Sequence, residues 1–245
     1  MPNPRFYTPE KLELGMMTVL PSNAAAHASR ALRLTAGGYA TLFNGDGYDY
    51  LCELTTVTKA TVTAKVNAKS TVNSESPLNI TLLQAISSGD RMDYTIQKAI
   101  ELGVNNIQPI NSQRSVVKLV GERAEKRKEH WQNVVISACE QSGRAIVPPV
   151  NNAMTLANWL SLNPATTNST RITLSPIATQ TLQDLVKPSG EIYLLIGAEG
   201  GLAQDEIDLA SMQGFNPVQL GKRVLRTETA ALAAVAAMQI IWGDF

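Results

Sequence analysis

The sequence predicts an α/β protein: a small β-rich unit first, then strands alternating with helices around a parallel sheet. Three observations predict it. The first seventy residues break into short Thr- and Val-rich segments separated by glycine turns. Beyond residue 77, short apolar runs alternate with segments of helical period, the signature of a layered α/β unit. Two of the apolar runs end in glycine-bearing loops that lead straight into helices. At 245 residues and 44% apolar content, the chain is long enough for one large core or two small ones.

Gly37 to Gly47 reads as a strand ending in a glycine-rich turn, followed by strands at Tyr50–Leu54 and Thr61–Val66, both rich in β-forming residues. A short helix around Ala24–Leu32 interrupts them. A small barrel or sandwich is expected over 1–72, with a polar linker at Ser70–Pro77. From 73 to 245 the expected order is a strand at Leu78–Ile86, a helix at Asp90–Leu102 stopped by Gly103, and a strand at Ile107–Ile110. A long helix at Glu122–Ser142 follows, its apolar residues at three- and four-residue spacings, the spacing of one helix face. Ser161–Thr170 reads as loop. Arg171–Leu174, Ile192–Ile196 and Phe215–Leu220 read as buried parallel strands, and a helix at Glu228–Trp242 closes the chain. That last helix, apolar nearly all round, must be covered.

Composition excludes several classes. No apolar run approaches the length of a membrane span, and the first residues lack the apolar core of a signal peptide. Two distant cysteines, Cys52 and Cys139, make neither a disulfide framework nor a zinc site, and no metal is expected. A reducing, cytoplasmic setting follows as the default. Formal charge is zero, but residues 1–72 carry seven Lys and Arg against five Asp and Glu, and residues 151–245 carry five against eight. That skew suits a polyanion held toward the N-terminal side. Arg123, Lys126, Arg127 and Lys128 alternate with Glu122, Glu125 and Glu129 and read as a solvated helix face.

The most informative stretch is Tyr193–Leu202: an apolar strand, then Gly197, Gly200 and Gly201, then a helix opening with Asp205, Glu206 and Asp208. The second runs from Val218 to Thr229: strand, Gly221, a basic loop, helix. Glycines allow close backbone approach, and ligands of open α/β sheets sit at the carboxyl ends of strands. The glycine spacing is neither a P-loop nor a dinucleotide fingerprint. Glu199 would repel a pyrophosphate, so a ligand with a cationic centre, such as a sulfonium, fits better.

These two blocks, Leu194–Gly201 and Leu220–Ala230, closely resemble the bacterial 16S ribosomal RNA uridine-N3 methyltransferases of the SPOUT superfamily. Pro4–Tyr7, His27–Leu34, Gln97–Val104 and Ala138–Arg144 resemble further blocks of that family, so the likeness spans the chain. Ala198, Lys222, Gln113 and Ser175 depart from its commoner Pro, Pro, Glu and His. The resemblance implies a trefoil-knotted C-terminal domain over 73–245, a PUA-like β domain over 1–72, a homodimer, and 16S rRNA of the small subunit as partner. It also implies S-adenosylmethionine bound by Leu174, Ile196, Gly197, Glu199, Gly200, Gly201, Leu220, Gly221, Val224, Leu225 and Thr227.

Methylating uridine N3 requires a proton to leave, and negative charge then spreads to O2 and O4. A fixed cation should stabilise that charge, and Arg226 is the expected donor; Glu228 would either hold Arg226 or accept the proton. N3 lies on the Watson–Crick edge, so the base must be unpaired or flipped out. Arg5, Arg30 and Arg33 are candidates for phosphates, with Phe6, Tyr7 and Tyr48 for stacking. Arg114 and Arg144 lie at element ends and resemble family positions near the active cleft, which makes them further RNA candidates. His27, ahead of two arginines, is either a phosphate contact or a structural residue; His130, on the charged helix, reads as surface, and Cys139 as buried on the apolar helix face. Two rivals remain: a ribose 2′-O-methyltransferase acting on tRNA, and a non-enzymatic RNA-binding assembly factor.

Overall fold

The computed structural model describes residues 3–245. The chain groups into two compact units: Met1–Glu75 with Cys139–Val147, and Ser76–Ala138 with Pro148–Phe245. A single cut near residue 72 therefore misses the segment 139–147, which groups with the first unit.

In the first unit β1 (Arg5–Tyr7), β2 (Met17–Val19), β3 (Tyr39–Phe43), β4 (Tyr48–Val57) and β5 (Val62–Thr71) form one sheet of order β1-β3-β4-β5-β2. β1 is parallel to β3; the other pairs are antiparallel. Alternate residues Tyr50, Cys52 and Leu54, and Val62, Ala64 and Val66, are buried with Phe6 and Leu42, the period of two expected of half-buried strands. One continuous sheet replaces the sandwich alternative. Helix α1 (Ser22–Ala26) widens into a π-type turn over His27–Ala31.

Two arginines expected at RNA phosphates are occupied within this unit. The Arg144 guanidinium is buried and donates through Nε and Nη2 to Glu75 Oε2 at 3.0 and 2.6 Å. Arg5 pairs with Asp49 and donates to the Arg144 carbonyl at 3.2 Å. A guanidinium withdrawn from water needs such partners, and sequence separation hid them. Replacing Arg144 with Met is expected to cost about 1–2 kcal/mol, discounted because Glu75 keeps part of its solvation; urea unfolding measures this. Phe6 is likewise core, edge-on to His27 at 5.9 Å. Arg30 and Arg33 remain exposed. Arg33 holds φ at +51° and is the one non-glycine residue with positive φ among the described residues. Burial pushes the Cys52 thiol up to about 11 and the Cys139 thiol up to about 12, leaving neither as a nucleophile at neutral pH.

The second unit contains β6 (Asn79–Ala85), β7 (Asn106–Ile110), β8 (Ser169–Leu174), β9 (Glu191–Ile196) and β10 (Asn216–Val218). All are parallel, in the order β10-β8-β9-β6-β7. Pro109 and Pro217 fall on the two edge strands β7 and β10, where a missing N–H is tolerated. The central strands β6 and β9 are nearly continuous apolar runs, buried on both faces. The helices are α2 (Asp90–Glu101), α3 (Gly121–Ser142), α4 (Leu156–Leu162), α5 (Gln204–Met212) and α6 (Thr227–Trp242). α4 occupies sequence read in part as loop: the Thr155 hydroxyl accepts from Asn158 N, and Leu156, Trp159 and Leu160 are buried. α6 buries Ala231, Ala234, Val235 and Met238 but leaves Ile240 and Ile241 exposed, with Phe245 beyond it. No described helix is long and apolar enough to cross a membrane.

Candidate active site

The strand order puts the carboxyl ends of β10, β8 and β9 side by side. Each strand ends on a loop, and the three loops with the start of α6 enclose a cleft of about 540 Å³, within the usual range for small-molecule sites. Leu174, Ser175 and Pro176 contribute from β8, Ile196, Gly197, Ala198, Glu199 and Gly201 from β9, and Val218, Leu220 and Gly221 from β10. Val224, Leu225, Arg226, Thr227 and Glu228 line the remaining wall.

The β9 loop closes on itself: Gly201 N donates to Ala198 O at 2.9 Å. A methyl group on Gly197 would lie 2.8 Å from the Gly201 carbonyl carbon and 3.0 Å from Leu202 N. Gly201 itself sits at φ +71°, where an L side chain is strained. Thr227 ties this loop to the rest. Its hydroxyl donates to Gly197 O at 2.5 Å and accepts from Gln84 Nε2, in β6, at 3.0 Å.

Glu199 is anchored through one of its carboxylate oxygens. One carboxylate oxygen accepts from Ser88 N at 3.0 Å, Ser88 Oγ at 2.9 Å and Arg91 Nη1 at 3.0 Å. Partial burial opposes its charge, but these bonds and one from its own N–H outweigh that and hold the carboxyl below its ordinary 4.5. A depressed carboxyl contributes stability above its unfolded pKa and loses it as pH falls through the folded value. Protection of the Ser88 amide from hydrogen exchange is therefore expected to hold from about pH 8 to about pH 5 and to fall only at more acid pH.

Arg226 and Glu228 share the cleft without answering each other. No ion pair or side-chain hydrogen bond involves Arg226 among the described residues; it is the N-cap residue of α6 but its side chain makes no capping bond. Glu228 Oε2 is buried with no hydrogen-bond partner. The expectation that Glu228 holds Arg226 is thus not met. Gly200 lies outside the cleft lining: its carbonyl accepts from Arg114 Nη1 at 3.0 Å, which attaches the exposed Arg114 to the outside of the loop. Arg91, Ser175, Pro176, Ala198, Val218, Arg223 and Ala230 line the cleft beyond the cofactor and catalytic residues expected from the sequence. Arg91 and Ser175 come from elements remote in sequence. Ser175-Pro176, directly after a predicted strand, was the available signal for one of them.

A parallel α/β sheet whose strand-end loops carry glycines, an unpaired guanidinium and a buried, unpartnered carboxylate oxygen defines a small-molecule binding cleft. Residues 74–239 match the family model for the RNA methyltransferase domain. The chain is 36% identical to a ribosomal RNA small subunit methyltransferase E of Buchnera aphidicola from Schizaphis graminum, over 98% of this chain and 97% of that protein. It is 29% identical to that of Bacillus subtilis, over 97% and 96%. Among solved structures it is similar to the Neisseria gonorrhoeae methyltransferase E bound to S-adenosyl methionine, at 46% identity and TM-score 0.91 over 99% of both chains. It is also similar to a Legionella pneumophila methyltransferase solved with SAM, at 37% identity and TM-score 0.95 over the full length of both. The chain belongs to the ribosomal RNA small subunit methyltransferase E family.

Proposed function

We propose that the chain transfers a methyl group from S-adenosylmethionine to N3 of a specific uridine in 16S rRNA of the small ribosomal subunit. The observation that carries this reading is the pair Arg226 and Glu228, two uncommitted charged groups on one wall of the strand-end cleft. The cleft fits the cofactor chemically. Leu174, Ile196, Leu220 and Leu225 offer apolar walls for adenine, carboxylates suit its cationic groups, and arginines suit its carboxylate. When bound, the cofactor supplies an electrophilic methyl group on a sulfonium.

The residues of the chain bind, orient and stabilise. Gly197, Gly201 and Gly221 let backbone approach the ligand closely. Thr227 fixes the β9 loop against α6. Glu199, itself bonded to Ser88, holds Arg91 at the cleft. Arg226 directs a permanently charged planar donor group at the uracil oxygens as N3 loses its proton. Arg30 and Arg33, with Arg114, serve RNA phosphates. The exposed residues of α6 support a homodimer, since an apolar helix face left in water is costly. A PUA-like N-terminal unit, a knotted C-terminal unit and a cytoplasmic setting complete the reading.

Labelled S-adenosylmethionine and small subunits from cells lacking this modification test it. Label recovered as N3-methyluridine is the expected result. Label in a ribose methyl group, or no label despite cofactor binding, would overturn it.

A further inference from the structure

We infer that Glu228 is the base that removes the N3 proton, acting through Oε2. This rests on the reading above. Buried carboxylate oxygens are nearly always hydrogen-bonded. Oε2 of Glu228 is buried and unpartnered among the described residues, and Glu228 lines the ligand cleft. Such an oxygen is set to receive a donor that arrives with a ligand. The uracil N3–H is such a donor, and one that the proposed reaction must remove.

Glu228 stands in the first turn of α6. Arg226 is not consumed by an ion pair with it, so the guanidinium stays available to the uracil oxygens. Thr227, between them, is fixed by its bonds to Gly197 and Gln84, which holds the two charged residues in a set relation. In the step, the N3–H bond breaks and its proton passes to Oε2. The freed N3 pair forms the bond to the methyl carbon, and the carbon–sulfur pair returns to sulfur, which leaves as a neutral thioether. Glu228 then returns the proton to water.

The charged groups facing Glu228 around the cleft are Arg91, Glu199, Arg223 and Arg226. Arginines stay charged across the working range, and Glu199 is held ionised by Ser88 and Arg91. A changed neutral-range pH profile on substitution therefore reports the loss of the uracil N3 proton.

The test compares wild type, Glu228→Gln and Glu228→Asp on RNA carrying uridine or 5-fluorouridine at the target. The fluorinated base ionises more readily at N3. Cofactor affinity is measured by calorimetry and kcat against pH. Glu228→Gln is expected to bind S-adenosylmethionine within about threefold of wild type and to lose about 100-fold in kcat. Its rate should rise about tenfold per pH unit, and its deficit should shrink at least about tenfold on the fluorinated RNA. Glu228→Asp should lie between. An equal deficit on both RNAs, near-wild-type kcat, or loss of cofactor binding in Glu228→Gln would each overturn the assignment; the last would give the carboxylate to the cofactor. If wild type yields no N3-methyluridine, the parent reading fails and the assignment falls with it, a result visible before any variant is compared.

Discussion

Arg226→Ala is expected to lower kcat by about 10²–10³-fold while leaving S-adenosylmethionine affinity within about threefold, the range seen when one fixed donor to developing negative charge is removed. The expectation follows from position. Arg226 precedes α6, lines the cleft, is exposed, and makes no ion pair among the described residues. Its loss therefore removes no internal support, and stability should change by no more than about 0.5 kcal/mol. Arg226→Lys keeps the charge but not the planar fork, so its rate should fall between wild type and Arg226→Ala. Single-turnover kinetics on small subunits would separate the chemical step from RNA binding. A rise in KM for RNA with kcat intact would show that Arg226 serves binding instead.

Gly197→Ala is expected to weaken S-adenosylmethionine binding by about 10–100-fold, equivalent to about 1–3 kcal/mol of forced backbone shift. The added methyl group would meet backbone atoms of Gly201 and Leu202 at 2.8 and 3.0 Å, and backbone cannot swing aside as a long side chain can. The Ala198–Gly201 turn must open, and with it the contact from Thr227 to Gly197 O. Gly200→Ala is the matched control. Its methyl group would meet Arg114 Cβ at 3.3 Å, outside the cleft and a milder approach than the backbone contacts at Gly197. A change below about threefold is expected there by calorimetry. Equal losses in both variants would mean that loop sequence matters only generally.

Local sequence carried much of the second unit. Leu194–Gly201 announced a buried strand and a tight turn because apolar continuity and glycine spacing are local facts. Gly103 likewise marked the end of α2. What failed was long-range. Arginine is the same letter whether it meets RNA or Glu75, and the carboxylates that occupy Arg144 and Arg5 lie 69 and 44 residues away. Arg91 reaches the cleft because Glu199, 108 residues on, draws it there. Helix α4 was missed because seven residues give too little period to separate it from loop; its signal was the Thr155 cap. Glu199 showed its charge in the sequence but not its partners, so it suggested an open anion where the structure has an anchored one.

The Thr227 hydroxyl has a consequence for how the protein is made. It joins Gln84 to Gly197, and the first of these precedes Thr227 by 143 residues. At ordinary rates of synthesis, about 5–20 residues per second, Gln84 waits about 7–30 s for its partner. β9, the central strand, must also slot between β8 and β6 after both have been synthesised. The cleft cannot close before Val224–Glu228 have been made, because these residues form one of its walls. A chain that stalls or is cut before α6 carries the glycine loop but not the clasp that shapes it. Chains that end before α6 should therefore be unable to sequester cofactor.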